Sequence, residues 1–193
     1  QIAIVSADST VWEVNISSNG PSQMTVQIED GTRLTTFSGV NVAIGGQLLL
    51  NGGTVDSQFV DIRGGTLSGN GLITTGSGPI PGQVENVGGT VAPGINGIGT
   101  LEIEGRYSNG KNGTLQMEIG GLAAGSQHDQ LVIDGGVSLA GKLQVSLVNG
   151  YTPLVGNEFI LITSTQTLGG EFETLLLPQG FNWEVTYNSN SLI

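Results

Sequence analysis

The chain has 193 residues with 33 Gly, 37% hydrophobic and only 11% charged residues, no Cys and a net charge of −11. Val and Ile number 17 and 16 against 7 Ala, and such β-branched side chains are stiff in helices and pack well on pleated surfaces. These numbers exclude a helical bundle, a disordered tail and collagen, disfavour nucleic acid and anionic lipid as partners, and remove disulfides and thiolate chemistry.

From the N-terminus onward, short alternating segments predict half-buried strands: Thr25-Val-Gln-Ile-Glu29, Thr100-Leu-Glu-Ile-Glu104, Thr114-Leu-Gln-Met-Glu-Ile119 and Lys142-Leu-Gln-Val-Ser-Leu147. Asn-Gly pairs starting at 19, 51, 70, 96, 109, 112 and 149, with Asp-Gly at 30 and 134, punctuate them as turn signals. A Gly-Thr-aliphatic unit recurs at Gly53-Thr-Val55, Gly65-Thr-Leu67, Gly89-Thr-Val91, Gly99-Thr-Leu101 and Gly113-Thr-Leu115. Its steps of 12, 24, 10 and 14 residues give a period near 24 with a half-period near 12. That rhythm predicts an all-β solenoid whose coils hold two or three short strands joined by tight corners, with inward aliphatic columns.

Gly76-Ser-Gly-Pro-Ile-Pro-Gly82 is expected to be a loop near 76–82 thrown out between rungs of a unit spanning 1–150. Beyond it, residues 151–193 are expected to be C-terminal capping strands of the same domain. Six of the ten aromatics gather there (Tyr151, Phe159, Phe172, Phe181, Trp183, Tyr187), and the strands are expected to lengthen. An open solenoid end exposes strand edges and core, which a bulkier, less regular cap would cover. The longest apolar runs, Phe159-Ile-Leu-Ile162 and Leu175-Leu-Leu177, are far too short for a membrane helix, so no membrane insertion by this segment is expected. A start at Gln1 and an end at Ser191-Leu-Ile193, which reads like an unfinished strand, suggest a piece of a longer parent chain.

Five elements in order carry a resemblance. They are Gly88-Gly-Thr-Val-Ala-Pro-Gly94, Ile98-Gly-Thr-Leu-Glu-Ile-Glu-Gly-Arg-Tyr107, His128-Asp-Gln-Leu-Val-Ile-Asp-Gly135, Val137-Ser-Leu-Ala-Gly-Lys-Leu-Gln-Val145 and Tyr151-Thr-Pro-Leu-Val-Gly-Asn-Glu-Phe-Ile-Leu-Ile162. This order, over roughly residues 85–175, resembles the C-terminal, autochaperone-like end of an autotransporter passenger domain, or a related bacterial surface protein with such repeats. Residues 1–84 share only the style of the rungs, and the translocating β-barrel of that family is absent from the sequence. The resemblance implies a right-handed parallel β-helix with an aromatic-rich C-terminal cap, displayed outside the cell as a stalk, adhesin or carrier. It carries over no catalytic residues.

The chemistry-bearing residues read mainly as structure. Glu102 with Glu104, and Glu171 with Glu173, lie at i, i+2 and are expected to share strand faces, while Asp56, Asp61 and Arg63 bracket one short strand. A general acid needs burial or a close like charge to hold its proton, and outward faces supply neither. His128 beside Asp129 lacks a nucleophile motif or further metal ligands, and Ile28-Glu-Asp-Gly-Thr32 lacks the alternating ligands of a calcium loop. Thr163-Ser-Thr-Gln-Thr167 occurs once, whereas a threonine ladder needs every rung. The sequons Asn15-Ile-Ser17 and Asn112-Gly-Thr114 are expected by chance at this composition. Trp12, Trp183 and Tyr187 could stack on sugars, with packing in the cap as the ordinary use. The expectation is therefore a non-enzymatic structural or adhesin-type module at the bacterial surface or outside the cell. It has no catalytic residues, metal or cofactor, its binding residues are unknown, and its partners are host or environmental glycans or surface proteins. The alternative is a carbohydrate-binding module attached to a polysaccharide-active enzyme.

Overall fold

The computed structural model describes residues 1–20, 22–76 and 82–193. The expected Pro/Gly loop thus lies, from 77 to 81, outside the described residues. The described residues are all-β, without a helix. In chain order the strands are β1 (Ile2–Val5), β2 (Ser9–Ile16), β3 (Met24–Glu29), β4 (Arg33–Ala43), β5 (Gly46–Ser57), β6 (Phe59–Arg63) and β7 (Thr66–Thr74). They continue with β8 (Gln83–Asn86), β9 (Thr90–Pro93), β10 (Thr100–Glu104), β11 (Arg106–Asn109), β12 (Thr114–Ile119) and β13 (Gln130–Asp134). The last are β14 (Val137–Leu139), β15 (Lys142–Leu147), β16 (Ile162–Ser164), β17 (Leu168–Gly170), β18 (Thr174–Leu176) and β19 (Ser191–Leu192).

These strands pair in three parallel ladders. The first runs β1, β3, the first half of β5, the first half of β7, β9, β12, β15 and β18. The second takes the first halves of β2 and β4, the second halves of β5 and β7, then β10, β13 and β16. The third takes the second halves of β2 and β4, then β6, β8, β11, β14 and β17. The chain visits the ladders in that order and returns to the first, so each parallel crossover consists of the strands of the other two ladders. Pairing departs from parallel at β19, which lies antiparallel on β16.

Alternation decides what each strand buries. In the first ladder Val26, Leu48, Leu67, Val91, Leu115 and Leu143 stack in register, all buried. Leu34, Val55, Ile73, Ile103 and Ile133 form the matching column of the second. Val40, Val60, Val84, Tyr107, Val137 and Leu168 do so in the third. Each such aliphatic side chain contributes about 1.5–3 kcal/mol when removed from water, so the columns are the main cohesive force between turns.

The 24-residue period is real on the first ladder, where Thr66 pairs with Thr90 and Thr90 with Thr114. The units at Gly53 and Gly99 instead lead into the second ladder, through Thr54 and Thr100. Spacing is not constant: Gln47 to Thr66 is 19 residues, while Thr114 to Lys142 and Lys142 to Thr174 are 28 and 32. The expected lengthening of strands after residue 150 is incorrect. There β16, β17 and β18 have three residues each and β19 has two. The extra residues go into connections such as 148–161 between β15 and β16, where Tyr151 and Phe159 meet edge-on at 6.1 Å while Leu154 and Val155 stay exposed. Parallel pairing nevertheless runs past 150, through β18.

Candidate functional site

The outer face of the second ladder carries a register column of Thr35, Asp56, Thr74, Glu104 and Asp134. Where this face turns into the third ladder, a groove of about 720 Å³ is lined by Asp56, Glu104, Arg106 and Asp134 among others. Glu102, Glu104 and Asp134 are exposed, and the Thr165 hydroxyl donates to Asp134 Oδ1 at 2.7 Å. Glu102 and Glu104 do share the outer face of β10. Glu171 and Glu173 do not share a strand face, because they fall in the connection between β17 and β18, on either side of buried Phe172. Glu173 Oε2 accepts the Gly141 N–H at 2.8 Å and so fastens that connection to the turn before it. Asp56, Asp61 and Arg63 are split by the corner at 57–59: Asp61 pairs with Arg63 at 2.7 Å on β6, whereas Asp56 pairs with Arg33 at 3.4 Å.

His128 and Asp129 are both buried, but they are not coupled to each other. Asp129 Oδ1 accepts the Gly99 N–H at 2.8 Å and Oδ2 the Glu118 N–H at 2.7 Å, so the carboxyl ties the entry of β13 to β12 and to the turn before. Burial pushes its pKa up to about 7 against the opposing pull of those two donors, and the nearby Glu118 charge adds to the rise. The His128 ring meets the Gly121 carbonyl through Nδ1 at 3.1 Å and lies edge-on to Phe159 at 5.6 Å, with Nε2 buried and unpartnered. With both carboxyl oxygens held by backbone donors, Asp129 does not orient the imidazole as a catalytic pair requires.

The remaining sequence candidates are also held by ordinary bonds. Glu29, the central acid of the 28–32 cluster, accepts amide N–H groups from Gln27 and Asn51, each at 2.7 Å. Thr32 Oγ1 donates to the Glu29 carbonyl at 2.6 Å and closes that turn. Thr163 lies on β16 and pairs with Ser191. Asn15 Oδ1 accepts from the Asn41 amide at 3.2 Å, and Asn112 is exposed. Trp183 donates to the Pro178 carbonyl at 2.8 Å and packs between Phe159 and Phe181, and the Tyr187 hydroxyl accepts the Phe172 N–H at 3.2 Å. These two aromatics therefore serve packing at the C-terminal end.

Trp12 behaves differently. It is 73% exposed and stands 6.0 Å, centroid to centroid, from Phe37, itself 64% exposed, at the corner between the second and third ladders. One turn further, exposed Phe59 abuts Gly39 at the same corner. Phe37 and Phe59 escape a reading of the sequence because their link to Trp12 exists only once the register is known. Their spacings of 25 and 22 residues, close to one turn, were the available signal.

No family model and no curated protein matches the chain. Among the described residues no three His, Cys, Asp or Glu side chains cluster in a way that could hold a metal ion, and no helix is long and apolar enough to cross a membrane.

Proposed function

We propose that the chain is a non-enzymatic, extracellular structural or adhesin-type module of a larger bacterial surface protein, built as a right-handed parallel β-helix with an aromatic-rich C-terminal cap. The observation that carries this reading is the unbroken parallel stacking of three ladders from β1 to β18 around aliphatic columns. Such a stack transmits shape over distance with each turn supported by its neighbours. The strong preference of parallel crossovers for one hand supports the right-handed coil. The order of short elements between residues 85 and 175, similar to the end of autotransporter passengers, supports display outside the cell. Exposure of Glu102, Glu104, Glu171 and Glu173 supports a role without acid–base chemistry.

Incubation with a panel of plant, algal and bacterial polysaccharides tests the reading, scored for new reducing ends or unsaturated uronates. The expected result is no product, together with a rod-shaped scattering profile and resistance to protease. Product formation that disappears in Glu104→Gln would overturn it.

One observation favours a second reading, carbohydrate binding: an exposed aromatic pair, Trp12 and Phe37, at one corner of successive turns, with Phe59 one turn further beside Gly39.

A further inference from the structure

We infer that the corner formed by Trp12, Phe37 and Phe59 is a binding platform for a neutral polysaccharide, whose successive sugar rings lie on the three aromatic rings while their hydroxyls bond to the polar column beside them. This rests on the second reading above and names its site and ligand class.

Burial first sets Trp12 and Phe37 apart from the other aromatics. Tyr107, Phe159 and Phe172 are buried and Trp183 is wedged between two rings, whereas Trp12 and Phe37 keep most of their surface in water. Large exposed rings cost hydration free energy that folding has not recovered. Trp12 and Phe37 are held side by side, because Val11 pairs with Thr36 and Glu13 with Gly39 on either side of them, while Val40 on Val60 sets Phe59 one turn further, beside Gly39. Gly39 keeps the floor between them flat, since an added Cβ would meet the Phe59 carbonyl at 3.2 Å.

The surroundings then choose among ligands. Immediately beyond the row, the outer face of the third ladder is polar in register: Asn15, Asn41, Asp61 and Glu85 succeed one another turn by turn. On that side a protein partner's apolar face would find no continuation, and its burial would leave amides and carboxylates unpaired. A polyol satisfies both halves, presenting C–H faces to the rings and hydroxyls to the amides and carboxylates. Asp61, Glu85 and the net charge of −11 oppose an anionic polymer, so the ligand is uncharged.

Affinity electrophoresis in native gels containing hydroxyethylcellulose, galactomannan or laminarin tests the platform, with polygalacturonate as the anionic comparison. The intact chain should be retarded by at least one neutral polymer and not by polygalacturonate. The variant pairing Trp12→Ala with Phe37→Ala should bind about tenfold more weakly, with an unchanged unfolding midpoint because both side chains are exposed. In a Trp183→Phe background Trp12 is the only tryptophan, and its emission should shift on titration with the polymer that retards the chain. Retardation of the intact chain with equal retardation of the double variant, or with no change in Trp12 emission, overturns this site while leaving carbohydrate binding in place. Retardation by polygalacturonate alone overturns the ligand class. No retardation by any neutral polymer overturns both the site and the carbohydrate reading.

Discussion

Two buried polar side chains interrupt the aliphatic columns of the third ladder. At the register position held by Val42 and Ile62, the next two turns place Asn86 and Asn109. Their burial is tolerated because every polar atom is used: Asn86 Nδ2 donates to Asn109 Oδ1 at 2.8 Å, and Asn109 Nδ2 donates to the Gly113 and Ala140 carbonyls at 3.1 and 2.8 Å. The Tyr107 hydroxyl also donates to Asn109 Oδ1 at 3.0 Å, and burial raises its pKa above the ordinary phenol value. Asn109→Ala strands several of these partners at once, and chemical denaturation should show a loss of about 2–4 kcal/mol; a change within 0.5 kcal/mol would mean that water replaces the amide. Asp129 gives a pH-dependent counterpart. Its folded pKa of about 7 lies above the ordinary 3.8, so between these values the native chain holds a proton that the unfolded chain has released. Its contribution is complete below 3.8 and is lost as pH rises through about 7. The thermal midpoint should therefore fall between about pH 4 and 7 and level off above, and fall less steeply in Asp129→Asn; equal slopes for the two proteins would remove Asp129 as the cause.

At the scale of the strand, alternation made β10, β12 and β15 readable to the residue, because one face is aliphatic and the other polar over five or six positions. The long β4, β5 and β7 were less legible: each bends around a corner and changes ladder midway, so no single period describes it. The Asn109-Gly110 pair does lead into a turn, closed by the Gly113 N–H on the Gly110 carbonyl, but the same pair also delivers an inward, fully bonded amide that a turn signal does not announce. Of the candidate binding corner only Trp12 stands out in the sequence, because turns of unequal length hide its pairing with Phe37. Corners impose their own local test. Gly69 has φ +123° and an added Cβ would drive into the Leu50 carbonyl, while Gly20 has open space around it. Gly69→Ala should lower stability by at least about 1–3 kcal/mol, and Gly20→Ala should stay within about 0.5 kcal/mol. If both variants unfold at the same denaturant concentration, the close stacking of β5 on β7 at this corner is not a constraint.

Across the whole molecule the two ends of the stack differ. At the N-terminal end β1 and β2 leave Ile2, Ile4, Val11 and Trp12 exposed, and no strand among the described residues pairs with their outer edges. At the other end the last residues fold back. Leu192 is fully buried, β19 pairs antiparallel with β16, and the Asn190 and Ser189 carbonyls accept N–H groups of Ser164 and Leu168. In a stack whose stability sums over turns and their interfaces, removing an already open turn re-creates a similar open end one step along. Removing a segment that covers the core exposes apolar surface with nothing behind it. Deletion of residues 1–20 should therefore lower the unfolding midpoint only slightly. Deletion of 178–193 should cost several kcal/mol at the end turn, by roughly 1.5–3 kcal/mol for each aliphatic or aromatic side chain uncovered, and should produce dye-binding, aggregation-prone protein. The reverse ranking would place the stabilising end of the stack at β1 and β2 and overturn the proposed capping role of the aromatic-rich tail.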